Sequence, residues 1–464
     1  MRGRVPARDP SPPGMPLKNI LLINPWIYDF TAYDFWLRPL GLLGIASILR
    51  DHARVRLHYI DCLDRRHPLL EKTTKDAPDG RGAYPREEVP KPAVLKDVPR
   101  TYARYGIPIG IFLGELDRVP VPDLVLLTCV MTYWYPGVQL AVELVRKKFG
   151  NVPVVLGGVY ATLMPEHARR ESGADRVVEG PAENQVLPLA RDILGDETVG
   201  EAGFRSMDEW PLPAWDLCRD RRSLALLTSR GCPFRCSFCA GPLINRVFEQ
   251  RSPESVISEI NSEVRLFGTR HFAFYDDALL LKKNDHVIPI LKGVIRRKLP
   301  AVFHTPNGLH VREIDAETAR LFRRAGFRSI YLSQESVDED FLGRACPKVS
   351  PGDLESAASA LERAGYSRRD LNVYLIVGVP GQSASGIRES ILHVRRLGLT
   401  PRVAFFSPVP GTPDWSRLVE RGTLPRDADP LLSNKLTFPY LWGNFAAGDF
   451  EEIRALLHQP PSPH

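Results

Sequence analysis

Apolar residues in this chain come in short runs, and the segments between the runs repeat with a helical period. Residues 20–24 (Ile-Leu-Leu-Ile-Asn) form one such run, residues 39–50 carry a helical apolar stripe, and Val55–Asp61 alternates apolar with polar. The same alternation returns at Leu124–Cys129, helix 138–148, strand 152–156, a helix around His167, strand 176–179 and helix 183–194. Unbroken apolar runs of about five residues suit strands covered on both faces, and 3.6-residue stripes suit the covering helices. Strands alternating with helices predict a doubly wound parallel sheet of the α/β class, with ligands at the carboxyl ends of its strands.

A second alternation begins at Ser223. Its strands are predicted at 224–228, 271–275, 301–304, 329–332, 372–377 and 402–406, and its helices at 253–267, 285–297, 316–325, 353–364 and 385–397. Six strands in this order predict a partial (β/α)6 barrel, whose site faces the carboxyl ends of the strands. Between the two alternations, Trp210-Pro-Leu-Pro-Ala-Trp-Asp216 is punctuated by proline and reads as a linker over 201–222. Residues 63–114 interrupt the first alternation. They are rich in Lys, Arg, Glu and Pro with both signs of charge, and predict a solvated insertion ahead of a docking surface, although residues 98–105 could reach back over a site. The expected organisation is therefore a tail at 1–16, a first domain at 17–200, the linker, a second domain at 223–415, and a cap and tail at 416–464. The cap includes a short helix near 451–457, and 459–464 is expected to be disordered.

Composition narrows the function classes. A chain of 464 residues is too long for one ordinary core. Apolar content of 44% with 25% charged residues is that of an ordinary globular protein. A net charge of +6 spread over this length lacks the basic stripe that nucleic acid requires, so no nucleic acid is expected. No apolar window reaches the ~18 residues of a membrane span. The first residues are basic and Pro-rich without an apolar centre, which makes a tail rather than a signal peptide. Seven cysteines, three of them clustered, fit a reducing cytoplasm better than a disulfide framework.

The cluster is the sharpest chemical signal. Leu227-Thr-Ser-Arg-Gly-Cys232-Pro-Phe-Arg-Cys236-Ser-Phe-Cys239-Ala-Gly-Pro242 leaves a predicted strand with a Cys-x3-Cys-x2-Cys spacing. Three thiolates can hold three corners of a cubane iron–sulfur cluster. An open fourth position separates a catalytic metal site from a closed structural one. The blander readings are a structural cluster, or a zinc site completed by Cys218, which lies far away across a charged linker. Cys218 otherwise reads as a bystander, Cys62 and Cys129 as core, and Cys346 as a loose thiol near the barrel mouth.

This run, with Phe238 just before the last cysteine, resembles the signature of the radical S-adenosylmethionine (SAM) enzymes. The resemblance implies that Cys232, Cys236 and Cys239 ligate a [4Fe-4S] cluster whose open iron is chelated by SAM, and that Phe238 packs near the adenine. One electron then cleaves SAM to a 5′-deoxyadenosyl radical. It also implies SAM contacts at later strand ends: Asp276 or Asp277 for the amino group, Asn307 in a polar third strand end, Glu335 and Ser336 near the ribose, and Gly378 and Pro380 against adenine. Paired acids and Gly-Pro turns also occur as ordinary helix caps and turns. Ser407-Pro-Val-Pro-Gly-Thr-Pro413 ends the sixth strand in the form of the family's cobalamin-type group.

The first domain resembles the cobalamin-binding domain that precedes many radical SAM domains, on Asn24-Pro25, residues 39–43, Gly157-Gly158 and Glu179-Gly180-Pro-Ala-Glu183. Gly157, Gly158 and Gly180 are then expected to line a cobalamin site, with Tyr133-Trp134-Tyr135 either walling the corrin or packing the core. An Asp-x-His-x-x-Gly motif is absent, and Asp64-Arg-Arg-His67 has the wrong spacing, so no protein ligand below cobalt is implied. The resemblance implies a radical SAM enzyme that transfers a methyl group to an unactivated carbon of a small-molecule or lipid-like substrate. It also implies an external reductant such as flavodoxin or ferredoxin. The alternatives are a radical rearrangement or ring formation with a vestigial cobalamin domain, or a non-catalytic iron–sulfur carrier or sensor.

Overall fold

The computed structural model describes residues 17–71, 76–195, 197–437, 441 and 447–458. The tails expected at 1–16 and 459–464, and part of the expected cap, lie outside them. The chain divides into two compact units, one of residues 1–91 with 100–221 and the other of residues 92–99 with 222–464.

The first unit is built on five parallel strands: β1 (Lys18–Asn24), β2 (Val55–Asp61), β3 (Leu124–Cys129), β4 (Val154–Gly158) and β5 (Arg176–Val177). Their order across the sheet is β5-β4-β3-β1-β2, which read from the other edge is the flavodoxin-like 2-1-3-4-5. Ile20, Leu21, Leu22 and Ile23 are all fully buried, as expected when helices cover both faces and no position along a strand points to water. One of those helices, α1 (Leu40–His52), packs Leu42, Ala46 and Leu49 with Ile20, Leu22, Leu124 and Leu126 in one cluster. The proline-punctuated connector joins the same unit: Ala214 and Trp215 are buried, and Ser47 donates to the Leu212 carbonyl at 2.6 Å.

The 63–114 segment differs from the expected solvated insertion. Ala103–Tyr105 pairs antiparallel with Ile27–Asp29 on one side and Arg86–Glu88 on the other, Gly82–Ala83 pairs with Tyr33–Asp34, and Ile109–Leu116 is helical. Arg65 explains much of this order, because its buried guanidinium pairs with both Asp34 (3.0 Å) and Asp76. Tyr84, Ala103 and Tyr105 add a small apolar cluster with Ile27 and Leu63.

Among its described residues the second unit carries eight parallel strands: β6 (Ser223–Leu226), β7 (His271–Phe274), β8 (Val302–His304), β9 (Leu309–His310), β10 (Phe327–Ser329), β11 (Tyr331–Glu335), β12 (Asn372–Val377) and β13 (Thr400–Phe405). They form two four-stranded ladders, β6-β7-β8-β10 and β9-β11-β12-β13. The predicted fourth strand therefore exists as two pieces on either side of Ile330. Strand, helix and strand follow one another through the unit, as a partial (β/α)6 barrel requires. Local chemistry sets the helix ends. Ser252 caps Pro253–Phe267 and Gly268 ends it in the left-handed region, Asp315 accepts from Thr318 N at 2.8 Å to start Ala316–Ala325, and Ser350 with Asp353 forms a capping box on Pro351–Arg363.

Candidate functional site

The three-cysteine loop leaves the carboxyl end of β6 through a short hairpin, Ser229–Arg230 paired with Glu249–Gln250. Gly231 sits at φ +77°, and a Cβ there would meet the Val247 carbonyl oxygen at 2.5 Å, so only glycine makes this turn into Cys232. Cys232 is half-buried, Cys236 buried and Cys239 exposed. The loop is fixed by its middle residue. Ser237 N donates to Ala345 O (2.9 Å), Ser237 O accepts from Asp414 N (3.1 Å), and Ser237 Oγ donates to Asp414 Oδ2 (2.6 Å). Phe234 rests edge-on against His310 at 4.9 Å, and Gly241 N donates to Cys239 Sγ at 3.3 Å.

Electrostatics link the thiols to one another. Lys348 acts on all three, and Asp277 acts on Cys232 and Cys239. A hydrogen bond from Cys346, 3.4 Å away, holds the Cys236 thiol below its usual range. Burial works against the charge of Lys348, yet Glu335 at 3.3 Å and the thiols hold its ammonium above the usual range. Among the described residues, no three His, Cys, Asp or Glu converge tightly enough for a single metal ion. A cubane, unlike one zinc ion, spreads its cysteines over separate irons, so three spaced soft thiols on one pinned loop fit it. Cys218 belongs to the first unit, where it is buried near Asp61 and Arg38.

The other strand ends sort themselves by where their side chains go. Asp276 is buried and turned back: its Oδ1 accepts from Thr228 N (3.1 Å), Thr228 Oγ1 (2.6 Å) and Ser229 Oγ (2.7 Å), which ties the end of β6 to that of β7. Its Oδ2 is buried without a hydrogen-bond partner, and burial pushes the carboxyl up to about 6. Asp277 is exposed and receives a backbone hydrogen bond from Gly231, beside the thiols. Asn307 Nδ2 donates to Tyr275 O at 2.8 Å, bridging the second and third strand ends. Glu335 occupies φ +66° and faces Lys348. Ser336 departs from the expected ribose contact. It is fully buried, its hydroxyl lies 3.3 Å from Ser390 Oγ and accepts from Asp338 N, so that group is already engaged. Gly378 N donates to Gln382 Oε1 at 2.9 Å, and Pro380 and Phe238 are half-buried. Lys348 and Asp414 were not singled out from sequence. Lys348 looks like one charge in a polar turn, and Thr412-Pro-Asp-Trp reads as an ordinary helix start.

In the first unit a cavity of about 170 Å³ opens along the carboxyl ends of β3, β4 and β5. Gly157, Gly158 and Gly180 line it with Gly41, Leu126 and Val186. Gly158 has φ +92° and ψ −168°, and a Cβ would meet Thr128 Oγ1 at 2.7 Å and the Cys129 carbonyl oxygen at 2.8 Å. The cradle is thus made by missing side chains and a mostly apolar wall, which suits a flat, largely apolar group such as part of a cobalamin. No histidine is among its described lining residues. The Tyr133-Trp134-Tyr135 run packs inside the unit: Trp134 donates to Asp29 at 2.9 Å, and Tyr135 stacks on Tyr160 at 5.8 Å.

Residues 226–394 match the Radical SAM superfamily, and residues 118–189 match the B12 binding domain. An uncharacterized methyltransferase of Pyrococcus horikoshii is 24% identical over 65% of this chain and 71% of its own. The anaerobic magnesium-protoporphyrin IX monomethyl ester cyclase of Cereibacter sphaeroides is 26% identical over 60% of this chain, which spans half of that relative's length. In fold, the chain is similar to the radical SAM methyltransferase TsrM of Kitasatospora setae with cobalamin and a [4Fe-4S] cluster bound. That likeness has a TM-score of 0.67 and 17% identity, over 95% of this chain and 91% of that one. No helix among the described residues is long and apolar enough to cross a membrane. With a thiol loop suited to a [4Fe-4S] cluster and SAM in one unit and a B12 binding domain match with a glycine-lined cavity in the other, the chain is a radical SAM superfamily enzyme of the class that carries a cobalamin-binding domain.

Proposed function

We propose that this enzyme transfers a methyl group to an unactivated carbon of a small-molecule or lipid-like substrate. The pinned loop of Cys232, Cys236 and Cys239 carries the proposal, because three protein thiolates leave one cluster iron open to SAM. When bound, the cluster, SAM and cobalamin supply the electron, the 5′-deoxyadenosyl radical and the transferable methyl group. The chain's own work is binding, orientation and exclusion of water. Asp277, close to the thiols, is placed to accept a hydrogen bond from the SAM amino group, a charge-assisted contact. Asp276, whose Oδ1 is spent on Thr228 and Ser229, holds the two strand ends together, and its unpartnered Oδ2 leaves it one free acceptor. Asn307 fixes the third strand end against the second. Lys348 sets a positive charge beside the thiolates and so offsets their mutual repulsion. In the first unit, Gly157, Gly158 and Gly180 let the backbone approach a cobalamin closely.

All seven cysteines are free thiols, which supports a reducing, cytoplasmic setting and an external donor such as flavodoxin or ferredoxin. The cyclase relative favours ring formation as the second reading. An anaerobic reaction of reconstituted protein with SAM, reductant and cobalamin separates the two by mass spectrometry. Methyl transfer requires S-adenosylhomocysteine that appears only with cobalamin. Release of 5′-deoxyadenosine alone turns the assignment to ring formation or rearrangement, and neither product from an iron-replete protein removes both.

A further inference from the structure

Cys346 is a fourth thiol beside the cysteine loop, and none of the roles above uses it. Its Sγ lies 3.4 Å from that of Cys236, and both residues are buried, with Cys346 wholly closed to solvent. The contact is fixed from both sides. Cys346 ends the helix Glu339–Ala345 and donates through its N–H to Leu342 O at 2.8 Å, Lys348 N donates to Cys346 O at 2.8 Å, and Ser237 N ties the loop to Ala345 O at 2.9 Å. Two short backbone segments therefore hold the two sulfurs together, whichever way the loop's exposed end moves.

A cysteine that ligates iron does so as a thiolate. A thiolate sulfur has no proton to give, so in this pair only the Cys346 S–H can donate. Hydrogen bonds to the sulfurs of an iron–sulfur cluster are one of the levers that set its reduction potential. A donated hydrogen offsets part of the negative charge that reduction adds. In a buried pair, with no water to take the donor's place, that offset is larger than at the surface.

We infer that Cys346 donates a hydrogen bond to the Cys236 thiolate and raises the reduction potential of the cluster. The effect eases loading of the electron from the external donor and makes the reduced cluster a milder reductant toward SAM. Resting on the assignment of Cys232, Cys236 and Cys239 as ligands, the inference adds a tuning residue outside the motif. A fourth-ligand role fits worse, because each iron of a cubane takes one outside ligand and Cys346 crowds a sulfur that already serves one.

The test compares wild type, C346A and C346S after anaerobic reconstitution. Iron and sulfide are assayed first, and the midpoint potential is then read by an electron paramagnetic resonance redox titration without SAM. Expected are equal iron contents, a midpoint shifted to more negative potential in C346A, and recovery of much of that shift in C346S, whose hydroxyl still donates. Equal midpoints in all three proteins overturn the inference and leave the cluster assignment standing. Iron lost in both variants makes Cys346 a ligand and overturns it too. A Cys236–Cys346 disulfide found by non-reducing peptide mapping of the loaded protein removes the donor. A wild-type protein that holds no cluster brings down the ligand assignment and this inference with it.

Discussion

The two units offer opposite ways to hold a cofactor. The loop after β6 is crowded with donors and acceptors: three thiols, an ammonium, a carboxylate, and a serine whose backbone and side chain are all engaged. The cavity of the first unit works by omission, through glycines at β-strand ends and apolar walls with few polar atoms. A site built from bonds fails all at once when a bonding atom is removed. One built from space fails by degrees, according to how much of that space is filled.

The largest effects therefore belong to the thiols. Replacing Cys232, Cys236 or Cys239 by alanine is expected to reduce both iron content and 5′-deoxyadenosine release to background, with the fold retained by circular dichroism. Full activity in Cys239→Ala would sink the cluster assignment. In the cavity the contrast lies between neighbours. Gly158→Val forces a side chain into a conformation that glycine alone adopts freely and into the Thr128 and Cys129 atoms 2.7–2.8 Å away, costing of order 1–3 kcal/mol in strain. Gly157→Ala meets nothing within 4 Å. Equilibrium dialysis with cobalamin should show binding weakened at least tenfold by the first change and within about twofold of wild type for the second, the tenfold corresponding to about 1.4 kcal/mol. Equal loss in both variants would mean that the cavity is not the cobalamin cradle.

Much of this was legible from the chain itself, for physical reasons that also mark the limits. Val55–Asp61, Leu124–Cys129, Pro253–Phe267, Ala316–Ala325 and Asn372–Val377 occupy the bounds read from sequence. Burial on both faces of a strand, or a cap at each end of a helix, writes itself into adjacent residues. The 63–114 segment did not, because its order depends on Arg65 meeting Asp34, thirty-one positions away. The Cys236–Cys346 contact spans 110 positions and leaves no local pattern. Strand ends were readable as strand ends, but a side chain's direction was not. Asp276 turns back to Thr228, and Ser336 is taken by Ser390.

Asp414 allows the bonded site to be loosened without touching a thiol. Asp414→Ala leaves the buried Ser237 hydroxyl without its acceptor and removes the partner of Arg417. A buried group so stranded costs about 1–3 kcal/mol. The cluster should form in this variant but leave faster under a chelator, while Asp414→Asn, which keeps an acceptor oxygen, should retain most of the protection. Chelation rates that do not distinguish alanine from asparagine would show that the Ser237 clamp is not what fixes the loop.

The smallest effect is a slope, and it tests whether Asp276 holds the strand ends as a buried carboxylate. Burial raises its pKa from 3.8 to about 6, against the hydrogen bonds from Ser229 and Thr228. Between those two values the native chain binds more protons at this site than the unfolded chain does, so stability falls as pH rises through the window and levels off above about 6. One such group contributes at most about 1.4 kcal/mol per pH unit. Asp276→Asn cannot titrate, and its side-chain oxygen can still accept from Thr228 and Ser229. Urea unfolding at pH 4 to 7 should therefore show wild type losing stability relative to Asp276→Asn up to about pH 6, with the difference constant beyond. Parallel curves across the whole range would mean that Asp276 titrates as it does in the unfolded chain, and that the burial seen at the end of β7 does not bear on its charge.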